Sequence, residues 1–556
     1  MLLSFCLKTE SQKWKIYQIQ QFSNIQGIII LFYILLKTKT GCWQHHLQRI
    51  NKLLIKYNMY NSTSQKLSVL EKVGYSFGDL AANLIFQTLV TYLAYFYTDI
   101  YGLKTADSSA VTLVVGLVAA FLFNPLIGVL ADRTSSRWGK FRPWILYTAV
   151  PMGVIALLAF STPDFSYKGK LIYAAVTYTL LLLCYASSNL PYSALSGVIT
   201  GDMSERNSLS SYRFVAVMFA QFFVQVFMLP IIIYAGHGNK AAGIEEVMTW
   251  MAILGTVLLI ITFLTTKERI VPRPEQKSTL KEDFSDLSKN KPWFIMLILT
   301  ILLFVTLAMK GGSYVYYFYN FVDKAALADF ISPVIAGLNG VGLNFFGSDP
   351  VSAGLGLFNA GGIIFQIIGI SLSKKLADKY GKRDVFKTGL FISTIFILVF
   401  YFFTPSNVYL MFGSQILHGF SYGITVPILW AMIADVADYS EYKTSRRATA
   451  IIFSAMMVGL KAGLSIGSSL VTWILGLYGY VALEGSAAGK EIIQPETVST
   501  GAKMLVSIYP SIPFLIGVGL LFFYVIDKKL EVKIETELKA RRAANAETDN
   551  AAVNIK

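Results

Sequence analysis

The chain has 556 residues, of which 54% are hydrophobic, 14% aromatic and 15% charged. Soluble domains carry roughly 25% charged residues, so a soluble globular protein is excluded. The +15 formal charge does not indicate nucleic acid, because its lysines and arginines sit in short loops between apolar runs, where they orient a polytopic membrane protein.

Residues 1–58 hold one short apolar run, GIIILFYILL (27–36), with polar and basic flanks and no signal-peptide cleavage site. Met59 precedes MYNSTSQKLSVLEKVGYSFGD, which reads as a natural beginning, so 1–58 are expected to be a non-native extension. A thirteenth span is the alternative.

About 20 apolar residues are needed to cross the hydrocarbon core. Twelve such segments follow, near 76–99, 109–131, 143–161, 170–196, 211–234, 247–266, 293–321, 351–372, 386–404, 407–434, 448–478 and 503–526. The polar, basic connector 267–292 divides a first bundle (59–266) from a second (293–526). Within the connector, TLKEDFSDLSK is expected to lie on the membrane surface. The tail 527–556 begins charged and turns Ala/Asn-rich, which predicts a helical stub followed by disorder.

The basic loop ADRTSSRWGKFRP (131–143) has a shorter echo, LADKYGKR (376–383), at the equivalent place in the second half, so the hydrophobic architecture is duplicated. Loops at 162–169, 235–246, 323–350 and 479–502 hold few basic residues. The basic loops are therefore cytoplasmic, and an even span count puts both termini there too. The expected location is a bacterial-type plasma membrane, with the lipid bilayer as solvent. Cys6, Cys42 and Cys184 show no metal spacing, and no cofactor is expected.

Ionisable residues inside spans are costly and become functional candidates. Span one carries Asp79 with Asn83 one turn later, a carboxylate and an amide suited to sugar hydroxyls; a solvated or capping acid is the plainer alternative. Span two has Asn124 before Pro125, and span four has Asn189 and Tyr192 around Pro191. Proline frees backbone carbonyls at such positions. Arg213 opens span five and could equally anchor the helix end. In span seven Lys310 stands beside two glycines among Tyr314, Tyr316, Tyr317 and Tyr319, rings that could stack on a sugar or form an interfacial belt. His418 in span ten could carry a proton or simply pack. Lys461 in span eleven lies deep in a small-residue helix and needs a partner or a wet cavity.

With these residues on view, the chain resembles the glycoside–pentoside–hexuronide cation symporters of the major facilitator superfamily, whose members include the melibiose permease. The likeness rests on YSFGDLAANLIFQTLVTYLAYFYTDIYG, NPLIGVLADRTSSRWGKFRPW, SSNLPYSALSGVIT and IADVADYSEYK, and covers roughly 66–530. It implies an all-α membrane protein of twelve transmembrane helices in two six-helix bundles, with a central sugar site and alternating access. It also implies a sugar-binding role for Asp79, while Arg213 and Lys461 match the family's helix-five arginine and helix-eleven lysine and Lys310 falls where relatives often have a basic residue before paired glycines. Sodium-coupled relatives carry two helix-two aspartates and one in helix four; those positions are Ala120, Asn124 and Asn189 here, and a helix-four threonine is Ala186. The familiar sodium site is therefore not expected.

The expected function is secondary sugar transport, without enzyme activity, coupled to a proton through Asp79 or His418, with Asn124 at the former ion position. Three basic groups against Asp79 favour an anionic uronide. An uncoupled uniporter or a transporter-like sensor is the alternative. The expected substrate site is Asp79, Asn83, Asn189, Tyr192, Arg213, Lys310, Tyr314 and Lys461. A cytoplasmic gate is expected from Asp132, Arg133 and Arg137 against Asp438, Glu441 and Arg446.

Overall fold

The computed structural model describes residues 66–200, 202–269, 290–347, 349–444, 449–482, 493–538 and 540–541. The expectations for 1–58 and Met59, for the surface stretch in the connector, for Arg446 and for the tail beyond 541 lie outside the described residues.

Among the described residues, twelve helices are long and apolar enough to cross a membrane. In chain order, spans one to six are Val69–Ile100, Thr105–Arg133, Arg142–Ala159, Tyr167–Ile199, Ser204–Ala235 and Lys240–Thr265. Spans seven to twelve are Lys291–Asn320, Pro350–Tyr380, Lys382–Phe402, Val408–Thr444, Ile451–Leu477 and Glu496–Phe522. Polar side chains start several of them. Ser68 accepts from the Glu71 amide at span one, and Asp202 and Asn239 cap spans five and six in the same way.

The packing repeats. Span one packs on five and six, and span three on four and six; in the second half seven packs on eleven and twelve, and nine on ten and twelve. Each contact thus has a counterpart six helices later. Between the halves, two meets eleven, five meets eight, and one meets seven. Cβ-free positions allow two of these approaches. A Cβ on Gly116 would fall 2.2 Å from Ser465 Oγ, and one on Gly356 would fall 2.4 Å from the Val226 carbonyl oxygen.

Three spans of the first half contain a π-helical turn: Phe96–Ile100, Ala119–Phe123 and Phe223–Phe227. Such turns are rare and often mark functional sites. The turn in span two ends directly at Asn124-Pro125, where proline cannot donate to the preceding turn.

The structure corrects two boundary expectations. The basic segment 373–387 is not a loop: span eight runs to Tyr380 and span nine starts at Lys382, with Gly381 alone breaking them at φ 90°. Its lysines lie on helix ends. Likewise 323–350 is not a plain loop; Lys324–Gly340 forms a helix capped by Asp323, with Leu327 and Ile331 buried. The expected stub after the last span is a helix at 528–538.

Candidate functional site

Asp79 lies ten residues into span one, about 15 Å along the helix from the end that carries the basic loops. Its carboxylate is buried and accepts a hydrogen bond from Arg213 Nε at 2.8 Å. Asn83 donates through Nδ2 to the Asp79 carbonyl at 2.9 Å and reaches Oδ1 at 3.4 Å. The i, i+4 spacing read from the sequence therefore does bring the amide to the acid.

Tyr75 and Tyr192 frame this pair. Their rings stack with centroids 4.6 Å apart, each hydroxyl donates to the other's backbone carbonyl at 3.0 and 2.9 Å, and the Arg213 guanidinium lies 5.7 and 5.2 Å from the two ring centres. Both rings are fully buried. Tyr192 was anticipated; Tyr75 was not, though its place one turn before Asp79 on the same face was available as a signal.

The second cluster crosses between the halves. Lys461 of span eleven donates a hydrogen bond to Asn124 Oδ1 of span two, and its ammonium stands 5.9 Å from the centre of the Tyr185 ring, itself stacked on Phe86. Asn124 Nδ2 is held by the Ala119 carbonyl at 2.8 Å, inside the π-helical turn. The amide is thereby oriented so that only its oxygen can face the lysine. Asn189 is half-buried and makes no side-chain hydrogen bond among the described residues.

Lys310, Tyr314 and His418 form a separate group nearer the opposite end. The Lys310 ammonium lies 5.5 Å from the Tyr314 ring centre, and the Tyr314 hydroxyl donates to Gln415 at 2.9 Å. His418 Nδ1 is 2.8 Å from the Ser393 hydroxyl and 3.2 Å from its carbonyl. The other three tyrosines of span seven serve elsewhere. Tyr316 and Tyr319 line a seam between the halves, and Tyr317 packs on Phe321 with rings 5.0 Å apart.

That seam closes the end opposite the basic loops, and nothing in the sequence reading singled it out. The Tyr316 hydroxyl lies 2.7 Å from Thr98 Oγ1, and Tyr480, just beyond span eleven, donates to Asp99 of span one. Burial first, then the Asp99 charge, pushes the Tyr480 phenol well above its ordinary pKa, so it acts as a neutral donor. Lys240 donates to Tyr95 at 2.9 Å, Tyr95 stacks on Tyr319 with an interplanar angle of 8°, and Tyr319 donates to Asp349 at 3.1 Å. Asn359 of span eight donates to the Gln225 carbonyl of span five at 3.1 Å. All these contacts join the two halves or brace residues that do.

At the basic end, ion pairs among the described residues include Lys72–Glu205 and Arg269–Glu71 at 2.9 and 2.7 Å within the first half, and Lys382–Asp435 and Lys382–Glu531 at 2.7 and 2.9 Å within the second. Asp132 binds Lys140 of its own loop at 2.9 Å, and Arg137 stacks over Trp138 at 4.5 Å. Asp438 and Glu441, on span ten, each have a partner, and Arg446 lies outside the described residues. One residue organises the loop itself. Glu268, after span six, accepts the backbone amides of Lys140, Phe141 and Arg142 at 2.8, 2.7 and 2.9 Å. Its signal was weak, one of five acids in a connector that also holds many basic residues.

Comparison with known proteins agrees with this architecture. The family described as MFS/sugar transport protein matches residues 74–528. The inner membrane symporter YicJ of Escherichia coli (strain K12) is 36% identical over 422 residues, covering 76% of this chain and 85% of that protein. The isoprimeverose transporter of Lactiplantibacillus pentosus is 29% identical, covering 85% and 92%. Among solved structures, a bacterial homologue of the human lysosomal transporter Spinster, inward-facing and unoccupied, superposes with a TM-score of 0.55 at 14% identity over 84% of this chain and 99% of that one. This last likeness concerns the fold alone.

Proposed function

The chain belongs to the MFS/sugar transport protein family, a family of membrane transporters and not of enzymes, and from that premise we propose that it imports a glycoside, pentoside or hexuronide by alternating access together with a proton. One observation carries the reading: a carboxylate, a guanidinium and an amide (Asp79, Arg213, Asn83) converge beside a stacked tyrosine pair. Sugars need this combination, because their hydroxyls take charged hydrogen-bond partners while their C–H faces lie on rings.

The basic end is the cytoplasmic one in this reading, and the seam at the opposite end is the closed outer gate. Asp132 and Arg133 meet the end of span ten only when the cytoplasmic side closes, exchanging the Asp132–Lys140 pair for contacts with Asp438, Glu441 or Arg446.

A proton fits better than sodium. Sodium seeks several oxygen ligands with carboxylate charge, whereas Ala120, Asn124, Ala186 and Asn189 supply none, and Asn124 Oδ1 is engaged by Lys461.

The substrate reading is an acidic sugar. Arg213 is neutralised by Asp79, but Lys310 and Lys461 face neutral partners among the described residues, Tyr314 and Asn124. A uronate carboxylate would supply the missing charge. The competing class is a glycoside without a carboxylate, as the isoprimeverose transporter's name implies for that relative. Uptake of methyl β-glucuronide and methyl β-xyloside into proteoliposomes, each with an imposed proton or sodium gradient, tests both points. Accumulation of the glucuronide driven by protons and indifferent to sodium is expected; preference for the xyloside would overturn the acidic-sugar reading, and sodium-driven accumulation the proton reading.

A further inference from the structure

Two cations inside spans of different halves, Arg213 and Lys461, are held in opposite ways. Arg213 has a counter-charge, the Asp79 carboxylate at 2.8 Å, within one half. Lys461 has a neutral amide oxygen on the other half, together with the face of Tyr185. Span two, which packs closely on span eleven, places no carboxylate within ion-pair reach of Lys461 among the described residues.

The other ionisable groups on the neighbouring spans have partners of their own. On span one, Asp79 is paired with Arg213, Glu71 with Arg269, and Asp99 accepts from Thr98 and Tyr480. On span two, Asp132 binds Lys140 in the loop and Arg133 ends the helix. On span seven Lys310 lies over Tyr314; on span ten His418 is bonded to Ser393, Asp435 is paired with Lys382, and Asp438 and Glu441 are engaged near the cytoplasmic end. Lys503 on span twelve lies over Phe321 and Tyr401.

The Arg213 guanidinium and the Asp79 carboxylate neutralise each other. A lysine at membrane depth without counter-charge is the group for which giving up the proton removes a cost. Lys461 is also half-buried rather than sealed, so water can reach it.

We propose that Lys461, not Asp79, carries the coupled proton, its ammonium standing in place of a transported cation and reporting its charge across the seam through Asn124. The inference rests on the proton-symport reading above. In the outward-facing state Lys461 is protonated and sugar binds. After the halves close at the outer end and sugar leaves, one N–H bond of the ammonium breaks, the electron pair stays on Nζ, and a cytoplasmic water takes the proton. The neutral amine lets the empty carrier return.

The test is the number of protons moved per sugar. Purified protein in liposomes holding a trapped pH dye takes up labelled methyl β-glucuronide or methyl β-xyloside, and the ratio of proton to sugar flux is recorded for native protein, Lys461→Arg and Lys461→Gln. About one proton per sugar is expected for the native protein, and at least a tenfold lower ratio for both variants, whatever flux remains. A native-like ratio in either variant overturns the proposal while leaving proton symport intact. A native protein that moves sugar without protons overturns both, so the two failures are distinguishable.

Should neither variant carry flux, reductive ¹³C-methylation of the lysines gives a second readout on active native protein. The Lys461 resonance, assigned by its absence from Lys461→Arg, is expected to titrate within the pH range over which native uptake changes and to shift on adding sugar. A resonance constant across that range overturns the proposal.

Discussion

Arg213 Nε sits 2.8 Å from Asp79 Oδ2, joining span five to span one across 134 residues of sequence. The pair neutralises itself, and in the sugar-transport reading proposed above it presents ordered donors and acceptors to the ligand rather than net charge. Replacing Asp79 with alanine leaves a guanidinium under two tyrosine rings without its partner. Such removal in a mostly buried setting costs about 3 kcal/mol. Sugar affinity should fall roughly a hundredfold, about 2.7 kcal/mol, in Asp79→Ala and in Arg213→Ala. The double variant should lose much less than the sum, because either single change already breaks the pair. Equilibrium binding on all three proteins checks this; strict additivity would show that the residues act apart.

Tyr480 and Tyr316 hold the outer seam through hydroxyls that meet Asp99 and Thr98. Tyr480→Phe keeps the ring and removes the donor, so the half-buried Asp99 loses one of its two hydroxyl partners. An unsatisfied buried acceptor costs about 1–3 kcal/mol. The variant should shift toward the outward-open state by 5-fold or more. Spin labels at Lys168 and Ser332, both exposed at the outer end of different halves, would report a longer distance population.

Gly356 allows span eight to lie against the backbone of span five. Its added Cβ would meet the Val226 carbonyl at 2.4 Å, and a backbone atom cannot swing aside as a side chain can. Gly356→Leu should insert in the membrane normally yet fail to close at the outer end. Uptake would be lost while ligand could still reach the site from outside. Normal uptake would mean that the two spans separate without consequence.

Glu268 accepts three consecutive backbone amides at the start of span three, where free N–H groups and the helix dipole both favour an anion. Glu268→Ala should lower stability by about 2 kcal/mol. Glu268→Gln, which can offer only one neutral oxygen, should fall between the two. Thermal unfolding in detergent gives the order, and a silent alanine variant would assign the loop's shape to Gly139 and Ser136 instead.

The coupling expectation is where sequence and structure part most clearly. Read along the chain, Asp79 is the outstanding intramembrane acid and draws the proton to itself. In three dimensions it already has a guanidinium, whereas Lys461 and Lys310 face neutral partners among the described residues. Tyr316 and Tyr319 show the same divide: their spacing near Lys310 suggests a sugar platform, yet they face the outer seam. Asn83 was legible because a four-residue helical interval fixes the contact locally.

The sequence by itself determined the twelve spans, their duplication and the matching places of the basic segments. The physical reason is local: each crossing needs its own stretch of apolar residues, and each loop carries its own charge. Tertiary structure alone decided which buried polar group answers which. Asp79 meets Arg213, Asn124 meets Lys461 across 337 positions and Asp99 meets Tyr480 across 381. In a low-dielectric interior that choice sets whether a charge is paired, shared or left to a proton, and it depends on helix packing that no single segment encodes.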